Sequence, residues 1–159
     1  MTDTVFTIVP SPVGDLVLTG DGRSITRIGF AARTPIDPEW REDPAPFAGA
    51  VAQLGEYFAG ERRAFDLPLA PAGTAFQQRV WAALAAIPYG ETTSYSALAE
   101  AIGQPGSARA VGAANGANPL AVVVPCHRVV GADGTLTGYA GGLDAKRNLL
   151  TLEDSTPAA

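Results

Sequence analysis

The chain of 159 residues has one cysteine, Cys126, followed directly by its one histidine, His127. A thiolate is the softest nucleophile a side chain offers, and imidazole is the side chain whose ordinary pKa lies nearest neutrality, so the pair suits nucleophilic catalysis. Both lie within "VVVPCHRVVG", residues 122–131, between Val122, Val123 and Val124 on one side and Val129 and Val130 on the other. A lone cysteine among valines is ordinarily a small buried hydrophobe. Pro125, however, has no amide donor and interrupts any strand ladder just before the thiol. His127 and Arg128 then place polar groups where an apolar run would continue. Burying either without a partner would cost about 1–3 kcal/mol, so both need designated partners.

That chemistry makes a geometric demand. Neighbouring side chains of a regular strand point to opposite faces, so Cys126 and His127 can cooperate only if the backbone bends near Pro125–His127 or a water bridges them. A thiol in an apolar pocket also has its pKa raised by desolvation, and something must support the thiolate. A histidine held by a carboxylate does this commonly. Asp133, Asp144, Glu153 and Asp154 are the downstream candidates for that carboxylate, and spacing alone does not choose among them.

Composition narrows the classes. Hydrophobic residues are 47% and charged residues 17%, the balance of a globular chain. A single cysteine excludes an internal disulfide, which suits a reducing cytoplasm, and with one histidine it cannot complete a four-ligand zinc site of the usual kind. No apolar run approaches the roughly 20 residues that span a bilayer, and no secretory signal is expected at the N-terminus. The net charge is −5. Residues 1–71 hold six Arg against ten acids (−4), and residues 72–159 hold four Arg and one Lys against six acids (−1). A polyanion would meet less repulsion at the second half.

The elements that must position the pair follow from pattern. "VFTIV" (5–9), "DLVLTG" (15–20) and "SITRIGF" (24–30) read as a β-meander, broken by "PSPVG" and "DG". Residues 33–46, with four prolines and many charges, read as a surface loop. Phe47, Val51, Leu54 and Phe58 recur at helical spacing before Gly60, and "AFDLPLA" (64–70) is expected as a short strand. "PAG" at 71–73 marks a boundary, giving an N-terminal domain 1–72 and a C-terminal domain 73–159. The second opens on a Thr74/Gln77 capping box and an apolar stripe of Phe76, Val80, Trp81, Leu84 and Ile87, with Pro88 and Gly90 as its end. Residues 92–103 and 108–117, the latter capped by Ser107, form a helix-turn-helix pattern. Residues 119–139 read as extended, 143–153 as a final helix, and the last six residues as a frayed tail.

"PCHRVVG", the upstream "ARAVGAANGANP" and the following "GYAGG" resemble the O6-alkylguanine-DNA alkyltransferases. The resemblance is close over residues 74–153 and general over the first seventy. It implies an α+β chain, with a ribonuclease H-like β-meander and helix in the N-terminal domain. The C-terminal domain is then helical, with a helix-turn-helix and an active-site turn. Cys126 aligns with the alkyl acceptor, His127 with the histidine that polarises it through a water, and Glu153 with the carboxylate that orients that histidine. Tyr95 aligns with the tyrosine that stabilises the departing guanine, and Asn118 with the asparagine that shapes the turn. Tyr139, Ala140 and Val129 fall at the substrate pocket, where the small Ala140 hints at room beyond a methyl group.

The resemblance further implies that the second helix of the helix-turn-helix lies in the minor groove. Ser107, Ala110, Ala114 and Arg128 are then expected at DNA, with Arg109 entering the stack where the flipped nucleotide left. The partner implied is double-stranded DNA carrying O6-alkylguanine, with O4-alkylthymine as a second candidate. No cofactor and no metal are implied, and the protein is expected to be a monomer. The thioether product makes it a single-turnover acceptor. Neither the N-terminal zinc site of some relatives nor the second, regulatory methyl-accepting domain of others is expected here. Three rival readings stand beside this one: a lesion binder without transfer, a helix-turn-helix module with a structural cysteine, and a turnover thiol hydrolase.

Overall fold

The computed structural model describes residues 4–155. The expected meander forms: β1 (Val5–Val9), β2 (Leu16–Gly20) and β3 (Ile25–Phe30) pair antiparallel in sequence order. Residues 33–46 are mainly an exposed loop, as expected, with one short strand inside it. They hold β4 (Arg41–Glu42), which pairs parallel with β1 and makes the sheet order β3-β2-β1-β4. Trp40 supplies the anchor, its ring 6.3 Å from that of Phe6. An aromatic in a Pro-rich, charged stretch can dock a segment that composition alone marks as solvent-facing.

Helix α1 (Ala48–Phe58) covers the sheet, and Gly60, at φ 78°, turns the chain away as placed. Its buried face is Ala50, Leu54 and Tyr57; the expected Val51 is exposed. Phe47 and Leu54 are buried as the stripe expects, and Tyr57, whose hydroxyl bonds Glu153, takes the inward position that Val51 does not. Residues 64–70 do not form a strand. A single bridge, Leu69 with Ile25, stands in its place, because Pro68 lends only its carbonyl to Ile25.

In the second half, Thr74 and Gln77 make the reciprocal capping box that opens α2 (Ala75–Ala85), with Val80, Trp81 and Leu84 inward. The helix ends three residues before Pro88, since the residue preceding a proline is pushed out of the α region. Helix α3 begins at Tyr95, not at 92 (Tyr95–Ala101), because Ser94 caps it and Thr93–Ser94 form β5. Helix α4 (Ala108–Gly116) follows. Ser107 stands at its N-cap position, yet its hydroxyl makes no capping hydrogen bond. Trp81 Nε1 donates to the Ala114 carbonyl at 2.9 Å and fixes α2 against α4.

Residues 119–139 are not extended as a whole. Only Val129–Val130 form a strand, β6, which pairs parallel with β5. Helix α5 (Leu143–Ser155) closes the fold; the remainder of the expected frayed tail lies outside the described residues. One apolar core runs from Val5 and Leu16 of the sheet through Leu54 to Leu84, Val111 and Leu149. No helix among the described residues is long and apolar enough to cross a membrane.

The two halves meet through backbone as well. Ile28 N donates to the Pro119 carbonyl at 2.8 Å, and Ala121 N donates to the Ile28 carbonyl at 3.0 Å. The free edge of β3 thus grips the segment that leads into "VVVPCHR". A site on that segment inherits the rigidity of the sheet.

Candidate active site

The bend that the chemistry requires is present. Cys126–Arg128 form one 3₁₀ turn, so Cys126 and His127 are not on opposite faces of a strand. Val122 just upstream has φ 71°, a left-handed conformation that costs a β-branched residue about 1–2 kcal/mol. Asn118 holds that conformation from within. Its Nδ2 donates to the Val124 carbonyl at 2.9 Å, and its Oδ1 accepts from Leu120 N at 3.0 Å. One amide side chain thereby spans the turn that presents the thiol.

Cys126 is buried in this arrangement. Burial pushes its thiol above the ordinary range, while the Asn118 amide, the Lys146 ammonium, its own backbone and the Tyr139 hydroxyl pull the other way. His127 is wholly enclosed and lies 2.7 Å from Glu153 Oε2 through Nε2. Burial lowers its pKa despite the hydrogen bond and charge of Glu153, so the imidazole is neutral at pH 7. Glu153 is an acceptor-only carboxylate, which assigns the imidazole proton to Nε2 and leaves Nδ1 as a lone-pair acceptor. That Nδ1 is buried and hydrogen-bonds to no group of the described residues.

Burial acts on Glu153 to raise its pKa, yet hydrogen bonds from His127, Arg128 and Tyr57 outweigh it and bring the carboxyl down to about 2. Arg128 grips both carboxylate oxygens, Nε to Oε1 at 2.8 Å and Nη2 to Oε2 at 2.9 Å. Tyr57, from α1, donates to Oε2 at 2.6 Å. Glu153, left open among four candidate acids on spacing, is the acid in contact with His127. Asp133 instead caps its own turn through Thr135, and Asp144 pairs with Arg147 on the surface.

Three expected placements are corrected. Arg128 is not a DNA-facing cation: it is buried, holds Glu153, and its Nη1 donates to the Ile87 carbonyl at 2.6 Å. A guanidinium beside a buried carboxylate finds a better partner there than a screened phosphate. Ala114 points into the core beneath α4, on the side locked by Trp81, and cannot meet DNA. Val129 is fully enclosed in the core and does not line an open pocket. On α4, Arg109 and Ala110 are exposed and Ser107 is half-buried at the helix start, so these three do lie on an accessible face.

Tyr139 borders the thiol, and Tyr95 reaches the same loop through Thr137. The Tyr95 hydroxyl lies 2.5 Å from Thr137 Oγ1. The Tyr139 hydroxyl is buried and couples electrostatically to the Cys126 sulfur, although no hydrogen bond of good geometry links them. Its ring packs edge-on against Phe30 of β3, centroids 5.5 Å apart. Ala140 lies in a cleft shared with Phe30, Ala31 and Arg33, so the N-terminal half forms one wall beside the pocket loop. Gly141 lets that loop sit down: a Cβ there would fall 2.6 Å from the Phe30 ring.

Sequence reasoning did not single out Tyr57, Lys146 or Thr137. A signal for Lys146 existed. The chain's one lysine shares the buried stripe of α5 with Leu149 and Glu153, a spacing of three and seven that puts all three on one face. Tyr57 carried none, because its partner is 96 residues away. Among the described residues no cluster of three His, Cys, Asp or Glu could hold a metal ion.

Comparison with known proteins bears on both halves. Residues 75–155 match the family described as 6-O-methylguanine DNA methyltransferase, DNA binding domain, and residues 4–71 match its ribonuclease-like domain. A Mycobacterium tuberculosis protein named methylated-DNA–protein-cysteine methyltransferase is 55% identical over 153 residues, covering 95% of this chain and 93% of that protein. A Methanosarcina barkeri protein of the same name is 48% identical over 153 residues, covering 94% and 97%. The crystal structure of Mycobacterium tuberculosis OGT in complex with DNA superposes with a TM-score of 0.92 at 54% identity, covering 98% of this chain and 96% of that one.

Proposed function

The chain belongs to the 6-O-methylguanine DNA methyltransferase family, and from that premise we propose that Cys126 Sγ is the atom that takes the alkyl group from DNA. The protein is a DNA repair methyltransferase that acts by direct reversal. What supports the assignment of Cys126 is a single relationship: the chain's one thiol sits on the same 3₁₀ turn as a neutral histidine anchored to an ionised glutamate.

The steps balance on these groups. The Cys126 proton passes to His127 Nδ1, the imidazole position left open once Nε2 donates to Glu153, through the water that the family resemblance implies. The thiolate attacks the carbon bound to guanine O6, forming an S–C bond as the C–O bond breaks. The electron pair stays on the guanine, whose N1 takes a proton from water while the His127 imidazolium returns its proton to water, and the Tyr95 hydroxyl stabilises that departing base. Glu153 remains ionised throughout and stabilises the transient imidazolium. No group among the described residues can cleave a thioether, so each molecule acts once.

We assign O6-alkylguanine in duplex DNA as the substrate and the minor groove as the docking site of α4, with Arg109 filling the stack. The small exposed face of α4, with Arg109 and Ala110, supports close approach to a groove. Tyr139 and Ala140 are assigned to the base pocket, and Asn118 to the turn. A domain division at 72/73 is likewise our reading, supported by the separate matches to residues 4–71 and 75–155. So are a monomeric state and a cytoplasmic setting, the latter suited to a thiol that must stay reduced.

Intact-protein mass spectrometry after mixing with duplex DNA bearing one O6-methylguanine tests the reading, with Cys126→Ser as control. One methyl per protein, mapped to Cys126 and absent from the control, is expected. Lesion bound without mass gain would favour a lesion binder, and lesion loss without an adduct would favour a hydrolase.

A further inference from the structure

Lys146 is the one lysine of the chain, and it is completely buried. Its Nζ donates to the Thr137 carbonyl at 3.2 Å and approaches Thr137 Oγ1 at 3.5 Å. Both are neutral acceptors, and among the described residues Lys146 belongs to no salt bridge. A buried ammonium without a counter-charge is costly, and burial lowers the Lys146 pKa from its ordinary value; an anion forming nearby offsets that cost. Cys126 feels this charge, and so does His127 beside it. Thr137 Oγ1 in turn lies 2.5 Å from the Tyr95 hydroxyl. One amine therefore touches the strand of loop that carries Tyr139 and, through one hydroxyl, the tyrosine assigned to the leaving base.

We propose that Lys146 is a positioning residue for alkyl transfer: its ammonium is the standing counter-charge for the Cys126 thiolate, and it pins Thr137 so that the Tyr95 hydroxyl is set for the leaving guanine. Lys146 and Glu153 lie seven residues apart on one face of α5, about 10 Å along its axis. The two ends of that face do different work. Glu153 governs the proton acceptor, and Lys146 governs the charge of the nucleophile. The inference rests on the acceptor role of Cys126 proposed above.

Other ionisable groups around the thiol must be separated from Lys146. They are Tyr139 from the pocket loop, His127 and Arg128 from the turn itself, Glu153 from α5, and Tyr95 at one remove through Thr137. Helix α2 turns only Val80, Trp81 and Leu84 inward. Of these groups and Lys146, only Arg128 is a second fixed cation, and it is bound bidentately to Glu153.

The test compares wild type, Lys146→Met, Lys146→Arg and Lys146→Gln in two reactions. The first is the pH–rate profile of Cys126 with iodoacetamide, which needs no DNA. Removal of the charge in Lys146→Met should move the alkaline inflection upward by about one pH unit, making the thiol about tenfold slower below it. The second is single-turnover methyl transfer from O6-methylguanine duplex, where Lys146→Met should lose rate with its DNA dissociation constant unchanged. Thr137→Val keeps the charge and should slow transfer from DNA while leaving the iodoacetamide profile in place. Should Lys146→Met melt at assay temperature, Arg and Gln make the comparison: restoration of the profile by Arg and not by Gln supports the proposal, and equal behaviour overturns it. Unchanged profiles and transfer rates in folded Lys146→Met also overturn it. If wild type itself takes no methyl from DNA, the acceptor reading fails, and the iodoacetamide profile still decides the charge of Lys146 on the thiol.

Discussion

The Tyr57 hydroxyl donates a 2.6 Å hydrogen bond to Glu153 Oε2, joining the first helix to the last across 96 residues of chain. The same oxygen lies 2.7 Å from His127 Nε2. The N-terminal half, which carries no cysteine, is therefore built into the proton relay of the C-terminal half. It also grips the approach to the turn through Ile28 and contributes Phe30 beneath Tyr139. The relay belongs to the whole chain.

Tyr57→Phe isolates that bond. The ring keeps its contacts with Phe58, Phe65 and Tyr89, and Glu153 keeps His127 and Arg128. A buried hydrogen bond to a charged group contributes about 1.5–3 kcal/mol, so urea denaturation should show a loss of that order with an unchanged slope. An unshifted midpoint would mean that the hydroxyl is dispensable to the relay's support.

Arg128 and Arg109 should separate cleanly by phenotype. Removing Arg128 leaves Glu153 buried with only His127 and Tyr57 as donors, and breaking a buried pair costs about 3–5 kcal/mol. Arg128→Met is expected to unfold at markedly lower denaturant, and Arg128→Lys to rescue it poorly because the bidentate fork is lost. Arg109 is exposed on α4, so Arg109→Ala should leave the midpoint within about 0.5 kcal/mol while slowing transfer from duplex DNA. A stable Arg128→Met with weakened DNA binding would restore the DNA-facing role that its burial denies.

Asn118→Ala tests the turn. It deletes the donor to Val124 and the acceptor for Leu120 N, the two contacts that bracket Val122 at φ 71°. With strain of about 1–2 kcal/mol no longer held, the turn should relax. The iodoacetamide rate of Cys126 is expected to change, since the amide also favours the thiolate. Asn118→Asp restores the acceptor alone and should recover stability only in part. Wild-type thiol kinetics in both variants would remove Asn118 from the site.

What was legible in the sequence was mostly local. The meander, the capping box at Thr74 and Gln77, and the bend at Pro125–His127 each rest on neighbours in the chain, and each formed. Misreadings came where a long-range partner outbid a local pattern. Trp40 draws a Pro-rich segment onto β1, Tyr57 displaces Val51 from the core, and β5 claims Thr93 and Ser94 for a parallel pair with β6. The same holds at the site. Arg128 reads as a surface cation until Glu153, 25 residues on, is seen to hold it. Ala114 reads as part of a small-residue face, but the face of α4 that Trp81 covers is the inner one. One lysine in an apolar stripe looks like tolerance, and only the neutral acceptors of Lys146 and its lack of a carboxylate set it apart.

Acid should unfold the protein in two stages set by the relay. The enclosed imidazole of His127 has its pKa below the ordinary 6.5, held down chiefly by burial, so below about pH 6.5 the unfolded chain binds a proton that the folded one refuses. Stability from this group is full above pH 6.5 and declines as pH falls. Glu153 is held at about 2 against an ordinary 4.5, so its contribution is full above about pH 4.5 and is lost between there and pH 2. The shift is equivalent to about 3 kcal/mol. Urea midpoints measured from pH 8 to pH 3 should therefore begin to fall near pH 6.5 and fall again below about pH 4.5. In His127→Gln the first decline should vanish while the second persists. A flat wild-type profile between pH 7 and pH 5 would mean that folded and unfolded chains protonate the imidazole alike, and stability rising toward pH 5 would mean that it is charged in the folded state, where the assignment of Nδ1 as the open acceptor fails.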